Sequence, residues 1–210
     1  MVVSKPYDER YDEILSVSET LFTTKGYAKT TINDILEGVQ ISKGTLYYYF
    51  KSKEEIMDAV IMRMAENSKT ASQKIADMPG LLANEKLLKV FTEQPGKNEA
   101  IIEQLHQDDN SAMHLKSLTE TLLAISPAMA QIVQQGIDEG VYKTPYPRES
   151  FEILFTGAQF LLDPALFKWS AAEQQQRVLA FIYVMETVLG TEKGCFDSLF
   201  NPGGNTGNTG

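Results

Sequence analysis

Residues 41–50 read ISKGTLYYYF, a serine, a lysine and a glycine followed by three consecutive tyrosines. Ser42 suits a helix N-cap, because its hydroxyl can accept from the unpaired backbone N–H groups of a helix that follows. At about 100° per residue, that helix turns Leu46, Tyr49 and Phe50 to one side. Gly44 and Tyr48 face the other way, flanked by Thr45 and Tyr47. A glycine inside a helix costs about 1 kcal/mol against alanine, and exposed aromatics invite association, so a purely structural helix gains little from such a face. Gly44 lets a partner's backbone come close, the tyrosines can hydrogen-bond phosphate or pack on thymine methyls and sugars, and Lys43 can reach a guanine edge. The stretch reads as a surface that touches DNA.

Working outward, Thr31 opens a shorter helix with Asp34 three residues on, a short relative of the capping box, and Ile32, Ile35, Leu36 and Val39 form its inward stripe. Two short helices joined by a tight turn form a helix-turn-helix, which enters the major groove. Before them, Ile14, Val17, Leu21 and Phe22 predict a first helix that ends at Lys25-Gly26; after them, Ser52 caps a fourth that runs to about Ile75. Further helices are predicted between breaks at Met78-Pro79-Gly80, Gln94-Pro95-Gly96, Ser126-Pro127 and residues 143–147. Two more cover roughly 148–162 and 171–189, the first stopped by Pro164. The run Val178 to Met185 is apolar all round, so one face is expected against its own domain and the opposite face against a second subunit, with Tyr183 and Thr187 at that contact. No segment reads as a strand. The fold class is all-α, an N-terminal three-helix helix-turn-helix domain over 1–53 and a larger helical effector-binding and dimerisation domain over 54–200. The tail NPGGNTGNTG is predicted to be disordered and lies outside the fold.

With 43% hydrophobic residues in 210, the chain can bury a substantial core. The net charge of -9 argues against wholesale coating of nucleic acid. Residues 25–53 alone carry Lys25, Lys29, Lys43, Lys51 and Lys53 against Asp34 and Glu37, a local balance of +3. The single Cys195 excludes an internal disulfide, and the first residues carry no apolar signal segment, so a cytoplasmic location is expected and a membrane partner is not.

The segment TTINDILEGVQISKGTLYYYFKSKEEI, residues 30–56, resembles the DNA-binding segment of TetR-family transcriptional regulators. It shares their Thr-Thr opening, Ser-x-Gly-x-Leu-Tyr-x-x-Phe recognition helix and Lys-x-Lys-Glu start of the fourth helix. The resemblance implies a homodimer, a double-stranded DNA operator and a C-terminal domain that takes a small effector. By position it also implies that Thr31, Ser42, Tyr49 and Lys53 take phosphates while Lys43, Gly44, Thr45, Tyr47 and Tyr48 lie at or near base edges. This chain departs from the family in placing Leu36, Val39 and Gln40 where small residues and a glycine usually carry the turn. The function expected is a repressor that binds a palindromic operator as a dimer and is released by a small apolar or amphipathic effector. The competing reading is a helical protein–protein interaction module built on the tyrosine face, which would respond weakly to salt.

Met113, Met129, Phe151, Phe155, Phe160 and Trp169 are candidates to line the effector cavity, although Met and aromatics at helical spacing also make ordinary core. His106 and His114 stand eight residues apart, which on one unbroken helix puts both near one face. A metal site needs three or more converging ligands, so no metal is expected, nor any cofactor. No Gly-rich phosphate loop, Gly-x-Ser-x-Gly or His-Glu-x-x-His occurs, and Cys195 has no nearby histidine, so no catalysis is expected.

Overall fold

A computed structural model describes residues 7–93, 99–106, 110–163 and 166–196. Among these the chain forms nine helices and no strand: α1 Tyr7–Lys25, α2 Ile32–Val39, α3 Lys43–Tyr49, α4 Lys53–Ala76, α5 Ala83–Glu93, α6 Glu99–Leu105, α7 Ser111–Asp138, α8 Pro147–Leu161 and α9 Ala171–Leu189. No helix among the described residues is long and apolar enough to cross a membrane. The expected breaks at 94–96 and at Pro164, and the tail from 201, lie outside the described residues.

Two compact units form. The first holds the described residues of 1–66 and 97–120, the second those of 67–96 and 121–210. This division departs from the expected one, 1–53 against 54–200, because packing ignores chain order. Ile101 and Leu105 of α6 are fully buried in the same core as Ile14, Phe22, Ile35, Leu46, Phe50, Ile56 and Met57. At about 1.5 to 3 kcal/mol for each fully buried aliphatic side chain, these two residues fix α6 to that core. The Gln104 side chain accepts from the Tyr27 backbone N–H at 3.1 Å, and Lys116 pairs with Asp58 at 2.7 Å.

The second unit is built around Leu87, Met129, Ile132, Val133, Tyr142, Phe151, Ile182, Met185 and Leu189. One expected break is absent: α7 continues through Pro127. Proline withdraws the N–H that would pair with the carbonyl of Leu123, but Leu123 is exposed, so that carbonyl can turn to water. Ser126 Oγ donates to Leu122 O at 2.6 Å in the same turn.

Candidate nucleic-acid interface

The two short helices are fixed by local chemistry. Thr31 and Asp34 close a full capping box: Asp34 N–H donates to Thr31 Oγ1 at 3.2 Å, and Thr31 N–H to Asp34 Oδ2 at 2.7 Å. The same carboxylate takes Lys25 Nζ at 2.5 Å. The Lys25 hydrogen bond, and then those from Thr31, hold the Asp34 carboxyl down at about 2. α2 ends in a Schellman pattern, with Ile41 N–H donating to Leu36 O at 3.1 Å and Gln40 N–H to Glu37 O at 3.3 Å. Gln40 sits at φ +57°, the left-handed conformation that favours glycine. Gln40 therefore makes this turn at the cost of backbone strain. Gly38 lets α2 lie against α1, since a Cβ there would sit 2.6 Å from Val17 Cγ1.

Ser42 caps α3 by accepting from Thr45 N–H at 3.1 Å. Leu46 and Phe50 are buried and Tyr49 is half-buried, while Ser42, Lys43, Gly44, Tyr47 and Tyr48 are exposed and Thr45 is intermediate. The face drawn from the helical period is thus the one turned outward. A Cβ added to Gly44 would meet only Ser42 Oγ, at 3.9 Å, and Gly44 has no positive φ. Nothing inside the fold demands a glycine there. Lys43 Nζ stands 5.8 Å from the centre of the Tyr47 ring.

Lys53 is turned inward. Its ammonium donates to Tyr27 O at 2.9 Å and Thr30 O at 3.0 Å and lies 4.3 Å over the Tyr27 ring. Two of its three donors are committed to the chain, and one remains for a phosphate. With Lys25 held by Asp34 as well, the positive charge open to a partner in residues 25–53 comes from Lys29, Lys43 and Lys51, which are exposed and make no ion pair among the described residues. Sequence reasoning missed Tyr7 and Tyr11 of α1, whose rings pack on Tyr48, Tyr49 and Phe50. Their i,i+4 spacing was the available signal.

The candidate effector residues fall into three groups. Met113 packs into the core of the first unit. Met129 and Phe151 are buried, and Phe155 partly so, in the core of the second. Phe160, 52% exposed, meets the Phe167 ring edge-on at 5.5 Å, and Trp169 stacks on the same Phe167 with the Arg177 guanidinium 3.3 Å over its ring. The second unit does have an open cleft of about 600 Å³, but other residues line it, among them Met78, Leu81, Lys86, Gln131, Gln135 and Asp138. The histidines do not share a helix: His106 follows the end of α6 and His114 lies in α7, yet their ring centres are 4.6 Å apart. On α8 and α9, Ile153, Phe160, Leu179, Tyr183 and Val184 are exposed, and Thr187 beside them donates to Tyr183 O of its own helix.

A capped two-helix motif with an outward lysine–glycine–tyrosine face on an all-helical chain defines a DNA-binding regulator. The sequence profile described as "Bacterial regulatory proteins, tetR family" matches residues 14–60, and that described as "Tetracyclin repressor-like, C-terminal domain" matches 95–184. The chain belongs to the TetR family of transcriptional regulators. It is 25% identical over 172 residues to the HTH-type transcriptional regulator EthR of Mycobacterium tuberculosis, covering 80% of this chain and 78% of that protein. To the negative transcriptional regulator IcaR of the Staphylococcus epidermidis biofilm operon icaADBC it is 49% identical over 45 residues, 21% of this chain and 24% of that one. Its fold is similar to that of a TetR-family transcriptional regulator from Pectobacterium atrosepticum, with a TM-score of 0.66 at 18% identity over 90% of this chain and all of the other.

Proposed function

We propose that the protein is a repressor that binds a palindromic operator as a homodimer and releases it on binding a small amphipathic effector. The observation that carries the DNA reading is the face of α3, where Gly44 is a glycine without an internal reason among Lys43, Tyr47 and Tyr48. A helix presented to the floor of the major groove needs that clearance. In this reading Lys43, Gly44, Thr45, Tyr47 and Tyr48 meet base edges, while Thr31, Ser42, Tyr49 and the remaining donor of Lys53 meet phosphates. The apolar residues left exposed on α8 and α9 support a second copy of the chain as their cover. The cleft of about 600 Å³, lined by Met78 and Leu81 beside Gln131, Gln135 and Asp138, is of a size that suits a small molecule with both apolar and polar parts.

Selection of duplexes from a randomised pool by the full-length protein tests the reading. A palindrome with half-sites about one DNA turn apart is expected, and recovery of no sequence, or of one without symmetry, refutes it. Lys43→Ala and Tyr47→Ala should each cost about 1 to 3 kcal/mol on the selected duplex. Unchanged affinity in both would remove these residues from the interface.

A further inference from the structure

Tyr7 opens α1 and is 53% exposed, yet its ring lies 6.0 Å edge-on to Tyr48 and 4.8 Å from Tyr49. One turn later Tyr11 stacks on Phe50 at 5.0 Å and leans on Tyr49 at 6.5 Å. The two α1 tyrosines, four residues apart, share a face and stack on each other at 6.3 Å. Between them they touch three consecutive residues at the end of α3. That helix has only seven residues, too few to keep its last turn ordered by its own hydrogen bonds. Tyr48 is 73% exposed, and among the described residues its ring neighbours are Tyr7 and Tyr49. A tyrosine that exposed exchanges rotamers freely unless a neighbouring ring fills the alternative positions.

We propose that Tyr7 is a positioning residue for DNA recognition, its ring holding Tyr48 in the orientation that α3 presents to the duplex. The inference rests on the reading of the α3 face as the DNA interface. The contact is ring to ring, so the phenol oxygen of Tyr7 is dispensable and the aromatic ring is not. An aromatic pair of this kind biases an orientation by about three- to tenfold.

The test compares affinity for the duplex that the wild-type protein recovers from a randomised pool with affinity for a scrambled duplex of the same composition. Tyr7→Ala should lose about three- to tenfold on the selected duplex and little on the scrambled one. Tyr7→Phe should bind as the wild type does. In a Tyr48→Ala background, Tyr7→Ala should have no further effect, because the residue acts through Tyr48. The proposal is overturned by unchanged binding in Tyr7→Ala, by equal losses in Tyr7→Phe and Tyr7→Ala, by losses of the same size on both duplexes, or by additive losses in the double variant. If the wild type recovers no duplex at all, the DNA interface itself fails and this role of Tyr7 with it.

Discussion

Replacing Lys53 by methionine should destabilise the first unit before any DNA is added. Lys53 is the first residue of α4, where a positive charge opposes the helix dipole by about 0.5 kcal/mol. What offsets this is the clasp: the ammonium gives hydrogen bonds to Tyr27 O and Thr30 O and sits over the Tyr27 ring. Each charged hydrogen bond at this partly buried position contributes about 1 kcal/mol, and the ring contact about 0.5 to 1 kcal/mol. Methionine keeps the stem but leaves two carbonyls without the donor, so after the dipole penalty is relieved the net loss is about 2 kcal/mol. Six of the nine tyrosines, Tyr7, Tyr11, Tyr27, Tyr47, Tyr48 and Tyr49, belong to this unit, and the one tryptophan, Trp169, to the other. Near-UV circular dichroism of the tyrosines during urea unfolding is therefore weighted towards the first unit, and Trp169 fluorescence reports the second. The expected result is a lower urea midpoint for the tyrosine transition. Full stability, together with weaker DNA binding and a salt slope flatter by about one, would refute the clasp and make Lys53 a solvated phosphate ligand.

Gln40→Gly should stabilise the first unit by about 1 kcal/mol in urea unfolding, because glycine adopts the left-handed turn without steric cost; a loss of stability would show that the Gln40 side chain is needed there. Because the Asp34 carboxyl is lowered from 3.8 to about 2 in the folded chain, its stabilising effect should be complete above about pH 4 and lost as pH falls from 3.8 towards 2. A carboxyl titration of Asp34 by NMR with its midpoint near 3.8 would contradict the capping geometry. Tyr183→Asp, at a side chain 65% exposed in the single chain, should turn the proposed dimer into monomer, or into unfolded protein, in sedimentation. An intact dimer in this variant and in Thr187→Asp would move the interface away from α9.

The helix-turn-helix was legible because its signals are local. Thr31 and Ser42 accept from N–H groups three residues ahead, and the 3.6-residue period alone puts Leu46 inside and Tyr48 outside, whatever the rest of the chain does. α9 was expected at roughly 171–189 without its caps, which the structure supplies as Ser170 at the N-cap and Gly190 in the left-handed conformation at its end. The direction of Lys53 was not legible. Its residue type and its place in the motif point to phosphate, but the carbonyls of Tyr27 and Thr30 that hold it are more than twenty residues away. Nor was the place of α6, whose Gln104 meets the Tyr27 N–H across 77 residues of sequence. Met129 and Phe151 have the composition of a cavity wall and became core, because burial depends on which helices meet rather than on the helix that carries the residue. The sequence alone determined the capped helices of the helix-turn-helix and their inward and outward faces, since each depends on atoms within about four residues. Tertiary structure decided which charges stay open to a partner, which helices share a core and which side chains steady α3, because those choices depend on free energies of contact between residues that the chain order does not bring together.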